Sequence, residues 1–276
     1  LSLKDIKKEG NATRIGALVR NTTVAENDQI VKHQPLLSMA INAGASAQIR
    51  NMATVGGNLL QRTRCAYFYD TAMRCNKREP VSGCDALEGY NRMHAIFGAS
   101  DKCIAVHPSD MAVALRALDA TVIVSGPKGE RSIPMADFHR LPGDNPEKDT
   151  TLAPNELITA ILIPGNPYNK NAYYLKVRDR NSYAFALVSV AAALDMNGTT
   201  IRSARLAMGG VAHKPWRLPE AEAYLAGKTA SEDTFKAAAG IAMKGAKAYE
   251  YNAFKLKMAP NCIFQALSVA SGIKQV

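Results

Sequence analysis

Residues 50–59 read RNMATVGGNL, a stretch in which two adjacent glycines stand among small polar side chains. A segment of helical periodicity precedes it. The pattern therefore predicts a loop over 50–58 in which Gly56 and Gly57 take backbone conformations closed to other residues. In such a loop successive backbone N–H groups can chelate phosphate oxygens, and Thr54 and Asn58 can add side-chain hydrogen bonds. A tight turn between two elements is the plainer alternative, and the spacing matches neither GxGxxG nor the P-loop.

Four of the five cysteines follow this stretch, between residues 65 and 103. Cys65, Cys75, Cys84 and Cys103 have nine, eight and eighteen residues between them. Structural zinc usually uses close cysteine pairs, and the sequence has none. Disulfides among the other four cysteines would leave the fifth, Cys262, unpaired. An iron–sulfur cluster needs four thiolates, and their spacing can be wide when a long loop wraps the cluster. Spacing alone leaves disulfides or inert thiols, a cluster, and zinc as open alternatives.

The segment that carries these cysteines favours the cluster. Residues 59–101 show little periodicity, and a structureless connection of that length inside a compact domain is uncommon and usually functional. A metal cluster would supply the ordering free energy that its few apolar residues cannot. Cys262 is predicted to be a buried thiol on the last helix. Basic side chains that can offset the charge of four thiolates are Arg62, Arg64, Arg74, Lys77 and Arg78.

The composition is typical of a soluble globular protein, with 47% hydrophobic and 21% charged residues among 276. That length suggests two domains, and no apolar run approaches the length that spans a bilayer. The formal net charge of +10 suits nucleic acid, an anionic cofactor or an acidic partner surface. The basic residues are dispersed and accompany no nucleic-acid recognition motif, which disfavours nucleic acid. No nucleophile–base pairing supports hydrolase chemistry.

Periodicity predicts regular structure on both sides of the cysteine segment. In the first half it indicates strands over 13–19, 120–124, 131–134 and 156–163, with helices over 35–47 and 110–118. Residues 164–167, PGNP, are the best candidate for a linker. Beyond it lie predicted strands over 172–177, 184–195 and 200–209, the last two joined at Asn197-Gly198, and helices over 220–226, 231–246 and 249–269. The second half is therefore predicted to be a small sheet covered by helices.

Two further groups of polar residues are candidate binding residues. Ser109 most simply caps the N-terminus of a helix. The negative charge of Asp110 is favourable there, because the N-terminus is the positive end of the helix dipole. A capped N-terminus is also where the polar edge of a cofactor can dock. The second group surrounds a strand end: Lys176, Arg178, Arg180 and Tyr183. Its cations are either solvated edge-strand side chains or a set that holds the electron-rich edge or the diphosphate of a flavin.

Taken together, these stretches resemble the medium, FAD-binding subunits of molybdenum hydroxylases. Residues 50–59 are similar to the flavin-loop signature of that family, 108–111 (PSDM) to a second motif, and 176–178 (KVR) with 183–184 (YA) to a third. The cysteine insert narrows the resemblance to bacterial three-subunit aldehyde oxidoreductases of the periplasmic type. Benzoyl-type reductases of the wider family carry a comparable insert.

This resemblance implies an α+β flavoprotein. An FAD-binding domain of the vanillyl-alcohol oxidase type would occupy 1–165, with an iron–sulfur insert at about 60–104, and a smaller α+β domain of antiparallel sheet and helices would occupy 168–276. Lys176 would lie beside the isoalloxazine. The implied FAD-binding residues are Ala53, Thr54, Gly56, Gly57, Asn58, Ser109, Asp110, Lys176, Arg178 and Tyr183. The implied ligands of a four-iron four-sulfur (4Fe-4S) cluster are Cys65, Cys75, Cys84 and Cys103.

The implied function is electron relay, with no catalytic residue on this chain. Aldehyde oxidation would take place at a molybdopterin cofactor on a large subunit of a heterotrimer. Electrons would pass through 2Fe-2S clusters on a small subunit to FAD on this chain, and then to an external acceptor. Alternatives are the medium subunit of a related hydroxylase or coenzyme A ester reductase, of the xanthine, carbon monoxide or hydroxybenzoyl type, and a non-catalytic basic binding module with structural cysteines.

One feature departs from the family pattern. Its members begin with a lobe that contains another glycine-rich loop, Gly-Gly-Thr-Asn/Asp-Leu, and this sequence has no such segment. We therefore expect the chain to start after that lobe, and its own FAD site to be incomplete unless another chain supplies the lobe. The first residues, LSLKD, lack the apolar core of a signal peptide. The resemblance favours the periplasm, reached by co-export with a partner subunit, with the cytoplasm as the alternative.

Overall fold

The computed structural model describes residues 3–274 and contains two antiparallel sheets with helices packed against them. The first sheet has the strand order β1-β2-β5-β3-β4, in which the strands are β1 Ile6–Glu9, β2 Ala12–Gly16, β3 Thr121–Gly126, β4 Gly129–Pro134 and β5 Leu157–Ile163. The helices of this half are α1 Asn21–Glu26, α2 Asp28–His33, α3 Pro35–Ala43, α4 Ala47–Met52, α5 Val55–Leu59, α6 Ala66–Tyr69, α7 Asp110–Ala117 and α8 Met135–Phe138.

The second sheet has the order β6-β7-β8-β9. Its strands are β6 Asn171–Val177, β7 Val188–Asn197, β8 Thr200–Gly209 and β9 Trp216–Arg217, and its helices are α9 Pro219–Leu225, α10 Glu232–Ala242 and α11 Phe254–Ala270. The Asn197-Gly198 hairpin forms as predicted, because Gly198 supplies the positive φ of 59° that its turn requires. No helix within residues 3–274 has the length and hydropathy needed to cross a bilayer.

The predicted strands and helices are present, and the differences in their ends have local causes. The first predicted strand stops at Gly16. Beyond it the carbonyl oxygens of Ala17 and Val19 accept hydrogen bonds from amides of α5, although the Ala17 amide still donates to Thr159 of β5. The third helix of the second half begins at Phe254, whereas residue 249 was its predicted start. Before it, the Asn252 side chain accepts a hydrogen bond from the Tyr249 amide and donates to the insert. Strand β9 was not predicted, because two residues carry no periodicity.

The cysteine insert is irregular, as its sequence predicts. Its only helix among the described residues is α6, and its other regular contacts are single bridges, such as Arg64 with Val106 and Cys75 with Cys84. The insert also contributes to the second half of the molecule. Ile96 and Phe97 are buried in the apolar core of the second sheet, and Phe97 bridges to Ala212. The insert therefore joins the two halves.

Helix α7 meets the second sheet at a very close approach. A Cβ atom on Gly209 would lie 2.5 Å from Ser189 Oγ and 2.7 Å from Val113 Cγ2. These distances are far inside van der Waals contact, so only glycine lets β8 lie against β7 and α7 at this point. The packing between the two halves therefore depends on a missing methyl group.

We predict that Gly209→Ala lowers the free energy of unfolding by about 1–3 kcal/mol, because the added methyl overpacks this contact. Gly240→Ala is the matched control. Gly240 lies inside α10 with nothing within 4 Å of the added Cβ, so there the change should stabilise the protein by up to about 1 kcal/mol. Urea unfolding of both variants checks the difference, and equal midpoints would contradict it.

Candidate functional site: a cleft between the two halves

The glycine stretch is helical, which corrects the predicted loop. Helix α4 ends at Met52, and Thr54 caps α5 by accepting a 3.2 Å hydrogen bond from the Gly57 amide. Neither glycine has a positive φ. Gly56 is needed for space instead, because a Cβ there would lie 3.2 Å from both Cβ and O of Ala17. The pair allows α5 to pack closely against the end of β2.

The predicted phosphate nest is also wrong. The backbone N–H groups of Val55 and Gly56 donate to the carbonyls of Val19 and Ala17, at 2.9 and 2.8 Å. The Gly57 amide donates to Thr54 Oγ1, and the Asn58 amide donates to Thr54 O. Successive amides of this stretch are therefore bonded within the chain. Its contribution to a binding site comes from the side chain at its end, Asn58.

Asn58 and Ser109 form a polar pair on the wall of a cleft. Ser109 caps α7 as predicted, accepting a 3.0 Å hydrogen bond from the Ala112 amide. Its hydroxyl donates to Asn58 Oδ1 at 2.5 Å, and Gln61 Nε2 donates to the same oxygen at 2.9 Å. The pair therefore holds the amide of Asn58 in one orientation beside the N-terminus of α7.

Lys176 forms a buried ion pair, so it is not a solvated edge-strand cation. Its ammonium lies 2.7 Å from Asp110 Oδ2, and the two side chains are 4% and 7% exposed. The hydroxyl of Tyr174 donates to the other Asp110 oxygen at 2.8 Å. Burial raises the pKa of the Asp110 carboxyl against the opposing effect of Lys176. Because Asp110 begins α7 and Lys176 lies on β6, the pair fixes the two halves to each other.

Lys176 and Arg178 also bind the end of α3. Lys176 Nζ and Arg178 Nη1 both donate to the carbonyl oxygen of Ala43, at 3.1 and 3.0 Å. Cations are favourable there, because the last carbonyls of a helix carry partial negative charge. Tyr183 is 60% exposed with a φ of 52°, and Arg180 donates to its carbonyl oxygen. Arg180 and Tyr183 form one edge of the cleft between the two halves.

The cleft consists of two adjoining cavities of about 570 and 620 Å³. Their shared wall includes Arg64, Ser109, Asp110, Tyr183 and Phe185. The first cavity continues to Cys65 and His94 of the insert. The second continues past Gly44, Arg50 and Asn58 to Lys176. A molecule that filled both would therefore reach from α5 to the cysteines.

The structure brings together half of the predicted FAD-binding residues. Asn58, Ser109, Asp110, Lys176 and Tyr183 line the cleft. Thr54, Gly56 and Gly57 belong to α5 and its N-cap, which carry Asn58. Ala53 caps the end of α4, and Arg178 holds the end of α3. Sequence reasoning missed Tyr174, Arg64 and His94, since a single tyrosine on a strand, one arginine of several and one unpaired histidine carry no distinguishing pattern.

Several polar atoms in the cleft wall are buried without a hydrogen-bond partner. They are Asn21 Oδ1, Arg64 Nε, His94 Nδ1 and His107 Nε2, and all four residues line one or both cavities. Buried polar groups are almost always hydrogen-bonded, so unpartnered ones deserve an explanation. Two of these atoms belong to cavity-lining histidines and one to Arg64 at the junction of the cavities. These atoms are buried within residues of the wall, so a ligand in the cleft would lie next to the residues that carry them.

The four cysteines of the insert lie close together. All five cysteines of the chain are free thiols, which removes the disulfide alternative. Cys65, Cys84 and Cys103 interact electrostatically with one another, and Cys75 with Cys65 and Cys84. Among the described residues, no group of three or more cysteine, histidine or carboxylate side chains is spaced to hold a metal ion. Cys262 is buried on α11, as predicted.

Backbone amides point at these sulfurs. Burial raises the pKa of Cys65 to about 11, against hydrogen bonds from the amides of Phe68 and Tyr67. Burial likewise raises the pKa of Cys103 to about 12, against the amide of Ala105 and the charge of Lys77. Amides aimed at sulfur stabilise thiolates, yet burial alone keeps these groups protonated. The thiolate form therefore needs a cationic partner at the sulfurs.

The basic residues of the insert mostly have other partners, which corrects their predicted role. Lys77 and Arg62 both bind Asp149, at 2.6 and 2.8 Å, and Arg74 binds Asp85 at 2.7 Å. The guanidinium of Arg78 donates to backbone carbonyls. These residues order the insert and fasten it to the first half. The charge of Lys77 also lowers the pKa of one cysteine of the insert, Cys103.

Comparisons with known proteins agree with this architecture. A family described as "FAD binding domain in molybdopterin dehydrogenase" matches residues 1–166, and one described as "CO dehydrogenase flavoprotein C-terminal domain" matches 172–268. The carbon monoxide dehydrogenase of Hydrogenophaga pseudoflava has the same fold, with a TM-score of 0.73 over 98% of this chain and 78% of that one, at 23% identity. The predicted α+β flavoprotein fold is confirmed.

Curated relatives give closer matches in sequence. The chain is 51% identical over 264 residues to the aldehyde oxidoreductase FAD-binding subunit PaoB of Escherichia coli (strain K12), covering 95% of this chain and 79% of the relative. It is 31% identical over 234 residues to the glyceraldehyde dehydrogenase medium chain of Sulfolobus acidocaldarius, covering 85% of this chain and 66% of the relative.

We predict that Lys176→Met destabilises the protein by about 3–5 kcal/mol, because it leaves the Asp110 carboxylate buried without a counter-charge. The loss should be smaller at pH 5 than at pH 8. A carboxyl whose folded-state pKa is raised binds its proton more readily when folded, so stability declines as pH rises through that pKa. Denaturant unfolding at both pH values checks this. The exposed Lys170→Met is the control, and an equal, small effect of both changes would contradict the prediction.

We also predict a loss of stability in acid that arises from buried histidines. Burial lowers the pKa of His139 and of His213 to about 4. Between pH 6.5 and 4 the unfolded chain therefore binds protons that the native chain does not, and the unfolding free energy falls as pH falls. His213→Gln should make this slope shallower, whereas the exposed His33→Gln should leave it unchanged. Unfolding measured across this pH range tests the slope, and an unchanged slope in both variants would contradict it.

Proposed function

The chain belongs to the FAD-binding subunits of the molybdopterin dehydrogenases, and we propose that it relays electrons between FAD in the cleft and a 4Fe-4S cluster in the insert. The observation that carries this proposal is the continuity of the cleft. One cavity wall is formed by Ser109, Asp110 and Cys65 together, so the predicted flavin site and a predicted cluster ligand share the same space.

The cleft fits FAD in size and in polarity. Each cavity is within the range of about 300–1,000 Å³ typical of ligand pockets. Exposed aromatic side chains, among them Tyr183 and Phe185, suit a planar ring system, while Arg50 and Arg64 suit its diphosphate. The residues that carry unpartnered polar atoms, Asn21, Arg64, His94 and His107, surround the space that the cofactor would fill.

When bound, FAD supplies a carrier that accepts and releases electrons. The protein's part is to hold and shield it. Ser109 and Gln61 orient the amide of Asn58, and the pair of Lys176 with Asp110 keeps the two walls of the cleft at a fixed separation. Such fixed polar walls exclude water and require little reorganisation when charge changes between them.

Four free thiols that lie near one another supply the number of ligands that a 4Fe-4S cluster requires. When bound, this cluster supplies a one-electron carrier and the positive charge that buried thiolates require. The amides of Tyr67 and Phe68 at Cys65, and that of Ala105 at Cys103, are hydrogen-bond donors to sulfur already in place. Iron–sulfur clusters in proteins are tuned by donors of this kind. A cluster also explains why an insert with a single short helix is ordered.

The wider assembly follows from the relatives. The 51% identical relative is named for an aldehyde oxidoreductase, and others are named medium chains or medium subunits. We therefore propose that this chain works beside a large subunit with molybdopterin and a small one with 2Fe-2S clusters, in oxidising an aldehyde. An external acceptor would take the electrons. A periplasmic location, reached by co-export, is likewise proposed, and cell fractionation tests it.

We predict that Cys84→Ala removes the iron of one 4Fe-4S cluster from the purified complex, because alanine has no atom that can bind iron in place of the thiolate. Cys262→Ser, which changes a buried cysteine in the core of the second half, should retain it. Iron analysis and low-temperature EPR spectra of the reduced complexes measure the effect. Equal iron in both variants, or no such cluster in the unmodified complex, would refute the cluster assignment.

We further predict that Asn58→Ala raises the Kd for FAD about five- to tenfold, the equivalent of about one hydrogen bond. The exposed Asn145→Ala is the matched control and should leave the Kd unchanged. Fluorescence titration of deflavinated complex with FAD provides the measurement. An Asn58→Ala complex that binds FAD as tightly as the control would place the cofactor elsewhere.

A further inference from the structure

His94 lies between the cysteines and the cleft, in a role that neither the flavin site nor the cysteine set requires. Its Nε2 atom is 3.1 Å from Cys65 Sγ, which is hydrogen-bonding distance. The same imidazole lines the cavity that contains Ser109 and Asp110, and its Nδ1 atom is buried there without a partner. One ring therefore touches a cluster sulfur with one nitrogen and borders the flavin site.

We infer that His94 is a tuning residue, whose Nε2–H donates a hydrogen bond to Cys65 Sγ and raises the reduction potential of the cluster. This inference rests on the proposed 4Fe-4S cluster. A thiolate ligand can only accept a hydrogen bond, so the proton must be on Nε2, and Nδ1 is then an acceptor. The tautomer follows from the contact alone.

The physical reason lies in the charge of the reduced cluster. Reduction adds one electron to the cluster and spreads more negative charge onto its sulfurs. A donor aimed at one of those sulfurs stabilises the reduced form more than the oxidised form, and hydrogen bonds to sulfur are among the factors that set cluster potentials. The other donors to Cys65 are the backbone amides of Tyr67 and Phe68, which a substitution leaves in place.

The position of His94 is fixed from the second half of the molecule. Its amide donates to Asn91 O at 3.0 Å, and its carbonyl oxygen accepts hydrogen bonds from Lys255 Nζ at 2.9 Å and from Asn252 Nδ2 at 3.2 Å. Lys255 is fully buried and also donates to the carbonyls of Met93 and Gly210. Such outer contacts are what hold a ligand's partner in the orientation that its function needs.

These contacts hold His94 beside the cysteine that borders the flavin cavity. Cys65 is the one cysteine of the four that lines the flavin cavity, and His94 is beside it there. A donor at this sulfur stabilises added charge on the side of the cluster that faces the flavin. His94 would therefore tune the cluster beside the cavity that the flavin is proposed to occupy.

The test is a potentiometric titration of the full complex, with the EPR signal of the reduced 4Fe-4S cluster as the readout. His94→Leu removes the donor and should shift the midpoint to a lower potential. His94→Gln restores an amide N–H and should recover part of the shift, while the exposed His33→Leu should leave the midpoint unchanged. A His94→Leu complex that retains its iron and has the unmodified midpoint would overturn the inference.

A second measurement covers the case in which His94→Leu loses its cluster. In unmodified complex grown with ¹⁵N-histidine, pulsed EPR of the reduced cluster should detect coupling to one histidine nitrogen, and His94→Gln should abolish that coupling. No histidine coupling in the unmodified complex would contradict the contact. If the unmodified complex has no 4Fe-4S signal at all, the proposed cluster is absent. That outcome differs from a cluster that is present but whose midpoint potential does not change in His94→Leu.

Discussion

The ion pair between Asp110 and Lys176 is the interaction on which the cleft depends. Both side chains are buried, and each belongs to a different half of the molecule: Asp110 begins α7 and Lys176 lies on β6. A buried pair of this kind adds little net stability compared with apolar packing, but it strongly penalises any arrangement that separates its members. Together with Tyr174 and the carbonyl of Ala43, it specifies one relative position of the halves. The space between them is the candidate FAD site.

The insert closes that space from the other side. It is held to the first half by Lys77 and Arg62 on Asp149, and to the second half by Phe97 in its core and Lys255 on its carbonyls. These attachments leave its four cysteines buried or half-buried and close to one another. Burial makes unaccompanied thiolates unfavourable, so these cysteines stay protonated unless a cationic partner lies at the sulfurs.

Sequence predicted the parts of this structure that local interactions determine. The Ser109 cap, the Asn197-Gly198 hairpin and the irregular insert follow from adjacent residues, and each is present. The role of the Gly56-Gly57 pair was misjudged, because glycine in a sequence indicates freedom of φ and lack of a side chain equally well. Here the second property matters, since α5 packs against Ala17.

The residues that sequence could not identify act across long separations. Lys176 and Asp110 are 66 residues apart, and His94 and Cys65 are 29 apart. No periodic pattern joins such pairs, since only the tertiary fold brings them into contact. The basic residues of the insert show the converse. Their composition suggested charge compensation for thiolates, but the fold supplies Asp149 and Asp85 as nearer partners. Counting charges in a segment therefore does not assign their partners.

The central claim is that the flavin and the cluster share one cleft, with Cys65 as the ligand nearest the flavin. An experimental structure of the complete complex with its cofactors bound tests it most directly. We expect FAD along Asn58, Ser109 and Tyr183, and a 4Fe-4S cluster on Cys65, Cys75, Cys84 and Cys103, with Cys65 on the wall of the FAD cavity. Iron absent from these cysteines, or FAD bound away from the insert, would contradict it.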